Sequence, residues 1–241
     1  MSAFDELREI GFAEAEARIL ADHFEDADRR GRPGHGVARI PWLRSVDLDF
    51  AAEPRRLAAE PCYERWDGEG TLGYLTLARL VDVQLAEPPD RARLVVATRC
   101  FPTGFLGYWV RLLAEGGLVA ALTATSPARL ASPQGGPPLA GTNPLALGIP
   151  SSDGRPLVAD VSMGKVTYGD VLTGEAEEAE LVPFGGEQAH KAFALAVGLQ
   201  MLVGALAGDE HGSVLLVAQP EHDPVPGLRE RATGVRLPGD A

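Results

Sequence analysis

Two short apolar runs separated by one helix-length segment constrain the fold of this chain most strongly. Residues 93–98 are rich in leucine and valine, as is typical of a buried strand, and residues 118–125 have the same character. Between them, residues 105–115 favour a helix, and the glycine pair that follows is typical of a helix end. A strand, a helix and a second strand in succession are typical of layered folds. The sequence therefore predicts an α/β protein.

Helix and strand patterns recur along the rest of the chain. The spacing of apolar residues predicts helices over 12–28, 72–86 and 187–206 and strands over 145–149 and 213–218. The segment 29–36 contains glycines and a proline that must end the first of these helices and form a tight loop. His35 therefore lies at the end of a loop, and loops often carry binding and catalytic side chains.

The length and the net charge of the chain limit the classes of protein to which it can belong. The 241 residues fit one compact domain over 1–241, with 94–182 as a candidate lobe. Acidic residues outnumber basic ones by 34 to 22, and the net charge of -12 disfavours nucleic acid and anionic membranes as partners. We recognise neither an apolar run of the roughly 20 residues that span a membrane nor an export signal at residues 1–6. We expect a cytoplasmic protein.

The cysteines and histidines form no disulfide or metal-binding pattern. Cys62 and Cys100 are too few for a disulfide framework, and the five histidines are scattered along the chain. Their spacings do not resemble those of a zinc site. We therefore expect no metal, and we interpret each cysteine as a lone thiol.

Several segments, taken in order, resemble one enzyme family. The sequence lacks a P-loop and a G-x-G-x-x-G motif after a strand, which disfavours a standard Rossmann enzyme. The informative segments are Ala27-Asp28-Arg29-Arg30-Gly31, His35-Gly36-Val37-Ala38-Arg39, Trp66-Asp67-Gly68, Gly141-Thr142-Asn143-Pro144, Pro183-Phe184-Gly185-Gly186 and Arg236-Leu237-Pro238-Gly239. Together they resemble the malate/L-lactate dehydrogenase family, a non-Rossmann group that includes ureidoglycolate and sulfolactate dehydrogenases and piperideine-2-carboxylate reductases.

This resemblance implies a fold, a partner and a set of site residues. It implies a mixed sheet with flanking helices, and a homodimer with sites near the subunit boundary. By resemblance, His35 contacts the substrate and Arg39 clamps a carboxylate, whereas Gly34 stands where the family has a serine. We expect Thr142 and Asn143 to bind substrate or to hold their long loop together through side-chain hydrogen bonds.

Two departures from the family pattern concern the cofactor. Pro102 stands where the resemblance implies the catalytic histidine, and proline can neither donate nor accept a proton. The segment that lines the nicotinamide in the family is shortened here, and the chain is shorter again between 165 and 183. Asp160, Ser162 and Lys191 remain as vestigial cofactor-binding candidates. We therefore expect no cofactor, with NADPH or NADH as the alternative.

The reactive side chains that remain predict a non-redox enzyme. A thiol beside an imidazole is the minimum equipment for covalent acyl transfer, because the base raises the thiolate fraction. We hypothesise that Cys100 is the nucleophile and His35 its base. Glu69 or Asp67 would orient the imidazole.

The predicted reaction is amide-bond formation in a biosynthetic pathway. Backbone amides around Thr103 and Gly104 would bind the oxyanion of the tetrahedral intermediate. The acyl group would come from a thioester on a carrier protein and pass to an amine of a small molecule. This hypothesis makes the chain an acyltransferase or amide synthase.

Two other functions stay open at this point. The first is an NAD(P)H-dependent reductase of a 2-oxo acid or a cyclic imine, in which another group replaces the missing histidine. The second is a catalytically inactive scaffold that binds a partner. Cys100 could equally be a buried small hydrophobe, since cysteine is among the most buried residue types.

Overall fold

A seven-stranded mixed sheet runs through the part of the chain that the structure describes. The structure, a computed structural model, describes residues 1–240. The strands are β1 (Arg55–Glu60), β2 (Tyr63–Asp67), β3 (Ala92–Thr98), β4 (Val119–Ala124), β5 (Leu145–Ile149), β6 (Leu157–Val161) and β7 (Ser213–Ala218). Their order in the sheet is β1-β2-β3-β7-β4-β5-β6. The order differs from the chain order because β7 returns to lie between β3 and β4.

The strand directions bring several loops to the same end of the sheet. The pair β2 and β3 is parallel, whereas β7 is antiparallel to both β3 and β4, and β5 is antiparallel to both β4 and β6. Strands β2, β3, β4 and β6 therefore run in one direction, and their carboxyl ends meet at one end of the sheet. The segments that follow these strands form a cluster of loops there.

Helices cover both faces of the sheet. They are α1 (Ala3–Ile10), α2 (Glu14–Arg29), α3 (Ile40–Leu43), α4 (Gly73–Ala86), α5 (Leu106–Glu115), α6 (Tyr168–Leu172), α7 (Ala189–Ala207) and α8 (Val225–Arg231). Short 3₁₀ turns lie at Pro33–His35, Val37–Arg39, Glu178–Glu180 and Gly186–Gln188. The main core lies between α4, α5 and one sheet face, where Leu77, Leu113 and Leu122 are fully buried.

Helix α7 lies on the opposite face and leaves much of its own apolar surface exposed. Its residues Val203 and Ala207 pack against Val96 and Val214 of the sheet. Among residues 1–240, one helix, Gly186–Ala207, is long and apolar enough to cross a membrane by length and composition alone. The stretch does not stand out as one apolar run in the sequence, because glycines and a glutamine interrupt it. Its packing against the sheet is that of a helix in a layered domain.

The α/β fold class, with a mixed sheet and flanking helices, is confirmed. The predicted strands at 93–98, 118–125 and 213–218 correspond to β3, β4 and β7. The strands β1, β2 and β6 were not predicted. Strand β1 carries mostly exposed side chains at the edge of the sheet, so it lacks the alternation by which a half-buried strand is recognised.

A buried carboxylate holds the β1 and β2 hairpin to the sheet. The Glu64 side chain is fully buried and accepts hydrogen bonds from Arg56 (2.5 Å), Trp66 Nε1 (2.9 Å) and Gln84 Nε2 (3.1 Å). Its Oε1 also lies 3.1 Å from Arg93 Nη1. Two guanidinium groups therefore share this one buried carboxylate, and Arg56 also pairs with the exposed Glu87 at 3.1 Å.

We expect Glu64→Ala to lower the free energy of unfolding by about 3–5 kcal/mol, because it leaves Arg56 and Arg93 without their shared partner. Urea unfolding followed by circular dichroism measures this change. The matched control is Glu60→Ala on the exposed end of β1, which should shift stability by less than about 0.5 kcal/mol. Equal effects of the two substitutions would contradict a structural role of the Glu64 network.

Candidate active site

A cavity of about 420 Å³ opens at the end of the sheet where β3, β4 and β6 finish. Its walls come from within the segments 31–42, 101–106, 124–129, 142–144 and 160–170. Three of these segments follow parallel-running strands, and such loop clusters are where α/β proteins bind ligands. The cavity is within the size range of small-molecule sites. It is therefore the candidate active site.

His35 lies in the wall of this cavity. The 3₁₀ turn Pro33–His35 places its ring beside that of Phe105, with 6.4 Å between ring centroids and an interplanar angle of 29°. Burial, assisted by the charge of Arg39, lowers the pKa of His35 to about 4. The negative charge of Asp170 acts in the opposite direction. The imidazole is therefore neutral at pH 7 and can accept a proton.

Asp170 is the carboxylate that the fold brings to His35. A Cβ atom on Gly34 would overlap Asp170 Oδ1, and a Cβ atom on Gly169 would overlap the Gly34 carbonyl. The segment before α6 therefore packs directly on the His35 loop, and the absence of a side chain at position 34 makes room for the carboxylate. Asp170 Oδ2 accepts hydrogen bonds from the Thr167 backbone N–H (2.7 Å) and hydroxyl (2.9 Å), which fixes its position at the start of α6.

Arg39 supplies a buried cation at the same site. The residue is 7% exposed, and its guanidinium lies 4.3 Å from the centroid of the Trp42 ring. Its Nε has no hydrogen-bond partner among the described residues. Leaving a buried guanidinium nitrogen unpaired is unfavourable, so the site is suited to a ligand carboxylate that can accept this hydrogen bond.

Asp160 adds a carboxyl group on the β6 side of the cavity. Its Oδ2 accepts a hydrogen bond of 2.7 Å from the Gly107 N–H in the first turn of α5. Burial raises the pKa of Asp160 to about 6. Ser162 lines the cavity nearby, and its hydroxyl accepts a hydrogen bond from the Gly164 N–H (3.2 Å). These two side chains belong to the same wall.

His23 supports the cavity from behind. It is fully buried among aromatic side chains, and its Nε2 accepts a hydrogen bond of 3.1 Å from the Phe105 N–H. A Cβ atom on Gly104 would lie 2.6 Å from the His23 ring, so the loop approaches this ring more closely than other residues would permit. Burial lowers the pKa of His23 to about 3, so the acceptor nitrogen stays unprotonated at neutral pH.

The predicted trio of Cys100, His35 and Glu69 is not brought together. Cys100 is fully buried, its thiol donates to Gly73 O (3.8 Å), and burial raises its pKa to about 12. At neutral pH it is a protonated thiol in the core. Glu69 instead binds Arg55 (2.5 Å) and Arg99 (2.8 Å) at the surface. Asp67, the other carboxylate predicted to orient the imidazole, also pairs with Arg99, with 2.6 Å between Asp67 Oδ2 and Arg99 Nη2.

The other predicted site residues divide into two groups. Those that line the cavity are Arg39, Thr103, Gly104, Thr142, Asp160 and Ser162. Asn143 is instead fully buried, and its Nδ2 donates to Ala196 O (3.0 Å) and Gln200 Oε1 (2.9 Å), which ties its loop to α7. Lys191 is exposed in the first turn of α7. Asp170 was missed because the segment that carries it shows no helical or strand pattern in the sequence.

Comparison with known proteins identifies the family. The sequence profile of the malate/L-lactate dehydrogenase family matches residues 3–181. The chain is 30% identical to the Delta(1)-pyrroline-2-carboxylate/Delta(1)-piperideine-2-carboxylate reductase of Pseudomonas aeruginosa, over 84% of this chain and 69% of that protein. It is 33% identical to the (2R)-3-sulfolactate dehydrogenase (NADP(+)) of Chromohalobacter salexigens, over 74% of this chain and 55% of that protein. The chain therefore belongs to the malate/L-lactate dehydrogenase family.

Solved structures have the same fold. The crystal structure of a dehydrogenase from Sinorhizobium meliloti superimposes with a TM-score of 0.82 at 25% identity, and the match covers 99% of this chain and 87% of that one. The chain spans only 55 to 69% of the length of the two curated relatives above. Their activities are therefore a basis for proposals about this chain and not a description of it.

These findings correct the predicted chemistry. The prediction of an acyltransferase that uses a cysteine nucleophile and no cofactor was wrong, since the relatives are reductases and dehydrogenases, one of them named for NADP(+). The buried, protonated thiol of Cys100 agrees with this correction. A carrier protein was expected only as the acyl donor, so nothing in the chemistry now calls for one.

The residues of the cavity fit a nicotinamide. Pro102, Pro127 and Pro144 supply apolar wall surface for a flat ring, and Ser162 and Asp160 supply polar groups suited to its carboxamide. The expectation of no cofactor rested on the shortening of the segment that begins at Asp160. That segment still lines the cavity through Asp160 and Ser162. Asp160 and Ser162 are the residues of this chain that would hold the ring.

The contact between Gly34 and Asp170 can be tested by a double-mutant cycle. We expect Gly34→Ser to lower the free energy of unfolding by about 1–3 kcal/mol, because the hydroxymethyl group has no room beside the carboxylate. Combining it with Asp170→Ala should cost less than the sum of the two single changes. Chemical denaturation of the four proteins measures the coupling, and strict additivity would contradict the packing described here.

Proposed function

We propose that this chain is an NAD(P)H-dependent oxidoreductase that interconverts a small 2-oxo acid or a cyclic imine carboxylate with its reduced form. The observation that carries the proposal is the grouping of His35, Asp170 and Arg39 around one cavity. This grouping supplies a proton-transfer group, a carboxylate beside it and a cation for the substrate. Membership of the malate/L-lactate dehydrogenase family supports the same class of reaction.

Each residue of the group has a distinct role. Arg39 binds the substrate carboxylate, which pairs its buried guanidinium and places the neighbouring carbon at His35. An imidazole nitrogen of His35 gives a proton to the oxygen or nitrogen of the substrate during reduction and takes it back during oxidation. Asp170 stabilises the protonated imidazole through its negative charge. The nicotinamide, when bound, supplies or accepts the hydride.

His35 removes the main objection to a reductase. Pro102 cannot transfer a proton, so the alternative function required another group in the same cavity. His35 is such a group, and Pro102 lines the same cavity as a piece of apolar wall. A binding scaffold without activity would not require a buried arginine with an unpaired Nε beside an imidazole and a carboxylate.

Cofactor binding tests the proposal directly. Trp42 lines the cavity, so we expect NADPH or NADH to quench its fluorescence and to raise the melting temperature in proportion to ligand concentration. Turnover of a panel of 2-oxo acids and cyclic imines is then followed by the loss of cofactor absorbance. Absence of both binding and turnover at millimolar cofactor would refute the proposal.

The role of His35 predicts a pH dependence. Reduction needs the protonated imidazole, and the pKa of His35 lies near 4, so kcat/KM for reduction should rise as the pH falls from 7 towards 5. Asp170→Asn removes the charge that raises this pKa, so the profile should move to lower pH.

His35→Gln should lower kcat by roughly 10²–10⁴-fold with little change in cofactor affinity. The control His222→Gln alters an exposed histidine, and an equal effect from both would contradict the assignment.

We also propose that the chain acts in the cytoplasm on a small-molecule substrate and works as a homodimer through α7. From 192 to 207 this helix carries no charged residue, and its Leu195, Met201 and Leu202 side chains are 53%, 61% and 46% exposed. Contiguous apolar surface of this kind is typical of an interface between subunits. Dimerisation was implied by the family resemblance, and α7 is the surface that suits it best.

We expect Leu202→Glu to convert the dimer into a monomer, because two copies of the introduced charge would be buried in the interface. Size-exclusion chromatography with light scattering measures the mass. Leu57→Glu is the matched control, since Leu57 is 41% exposed on the edge strand β1, at the far side of the sheet from β4. A wild-type protein that is monomeric at micromolar concentration would contradict this proposal.

A further inference from the structure

The cavity holds a second guanidinium besides that of Arg39. Arg32 lines the cavity three residues before His35, and its side chain is exposed to the cavity opening. Burial is the main influence on the pKa of both His35 and Asp160, and the charge of Arg32 acts on both to lower it. The guanidinium is therefore close enough to interact with side chains on two different walls.

Arg32 is also available to a ligand. Its backbone is fixed, because its amide donates to Ala27 O at 2.9 Å. Its side chain forms no ion pair within 4.0 Å in the described part of the chain. The other arginine at the opening, Arg129, is occupied, since its guanidinium lies 3.4 Å from the Tyr168 ring centroid and 4.0 Å from Glu178 Oε1.

The cavity carries several arginines although the chain as a whole is strongly acidic. Three arginines, at positions 32, 39 and 129, face two aspartates, at positions 160 and 170. Each aspartate already accepts hydrogen bonds from backbone N–H groups, which satisfy part of its charge. The remainder of the chain is strongly acidic, with a net charge of -12 overall. Arg129 is already paired with Glu178, so Arg32 and Arg39 are the cavity arginines that remain available to anionic groups of a ligand.

We propose that Arg32 is a specificity-determining residue that binds a second anionic group of the substrate. The inference rests on the proposed function, in which Arg39 binds the first carboxylate. Arg32 and Arg39 line the same cavity as His35, so two guanidinium groups are available to a substrate that is placed at the imidazole. Such a site selects a short 2-oxo acid with an anionic group at each end over a substrate with a single carboxylate.

Cyclic imine carboxylates then become poor substrates of this chain. They carry one carboxylate, and their ring would present carbon atoms to Arg32 in place of an anionic oxygen. A phosphate of the cofactor is the other source of an anionic group that could reach a cation at the opening. The experiment therefore needs one arm for the substrate and one for the cofactor.

The first arm measures binding without turnover. Calorimetry compares succinate, with two carboxylates, and propionate, with one, on wild-type protein and on Arg32→Met. We expect wild-type protein to bind succinate at least tenfold more tightly than propionate, and Arg32→Met to lose this preference, whereas Arg32→Lys keeps part of it. Equal affinities for the two acids on wild-type protein, or an unchanged preference in Arg32→Met, would overturn the inference.

The second arm measures turnover and cofactor affinity. With oxaloacetate, Arg32→Met should raise KM about tenfold at nearly constant kcat, and with pyruvate neither should change, because uniform substrate binding is what is lost. The affinities for NADPH and NADH, measured by fluorescence, should stay the same. A loss of NADPH affinity alone would assign Arg32 to the cofactor and overturn the inference.

The controls separate this inference from the proposed function. Arg44→Met alters an arginine that pairs with Glu6 and Glu9 outside the cavity, and it should leave every measurement unchanged. Failure of the proposed function would appear as no oxidation of NADPH or NADH by wild-type protein with any substrate. Failure of the inference would appear as unchanged selectivity between one and two carboxylates in Arg32→Met.

Discussion

The close packing of the Asp170 segment on the loop that carries His35 is the contact on which the site depends. It is possible only because Gly34 has no side chain, which leaves space for the carboxylate beside the imidazole. The same contact closes one wall of the cavity, since residues 167–170 line it. A hydrogen-bonded cap at Thr167 keeps the carboxylate from moving away. One steric requirement thus determines both the shape of the cavity and the charge next to His35.

The electrostatics of the site follow from a competition between burial and charge. Burial and the Arg39 cation favour a neutral His35, whereas the Asp170 carboxylate favours the protonated form. Because these effects oppose each other, the His35 imidazole can exchange a proton with a substrate that binds at Arg39. Substrate binding also changes the balance, because a bound carboxylate neutralises the Arg39 charge. Proton transfer by His35 is therefore coupled to the occupancy of the carboxylate site.

The sequence predicted the layered fold and part of the site, and its failures have physical reasons. Residues His35 and Arg39 were identified because they lie in one short motif. Asp170 comes from a segment far along the chain, and only the fold brings it to His35. Cys100 was misinterpreted because the spacing that brings it close to Pro102 says nothing about which way its side chain points. At the end of β3 it points into the core, where burial keeps the thiol protonated.

The account is tested most directly by NMR titration of the His35 imidazole in wild-type protein and in Asp170→Asn. The packing described here predicts a pKa near 4 in the wild-type protein. It also predicts a lower value in the variant, because the variant lacks the charge that favours protonation. A wild-type pKa at the ordinary value of about 6.5, unchanged by the substitution, would show that His35 is neither buried in the cavity nor adjacent to the carboxylate. That result would contradict the central claim.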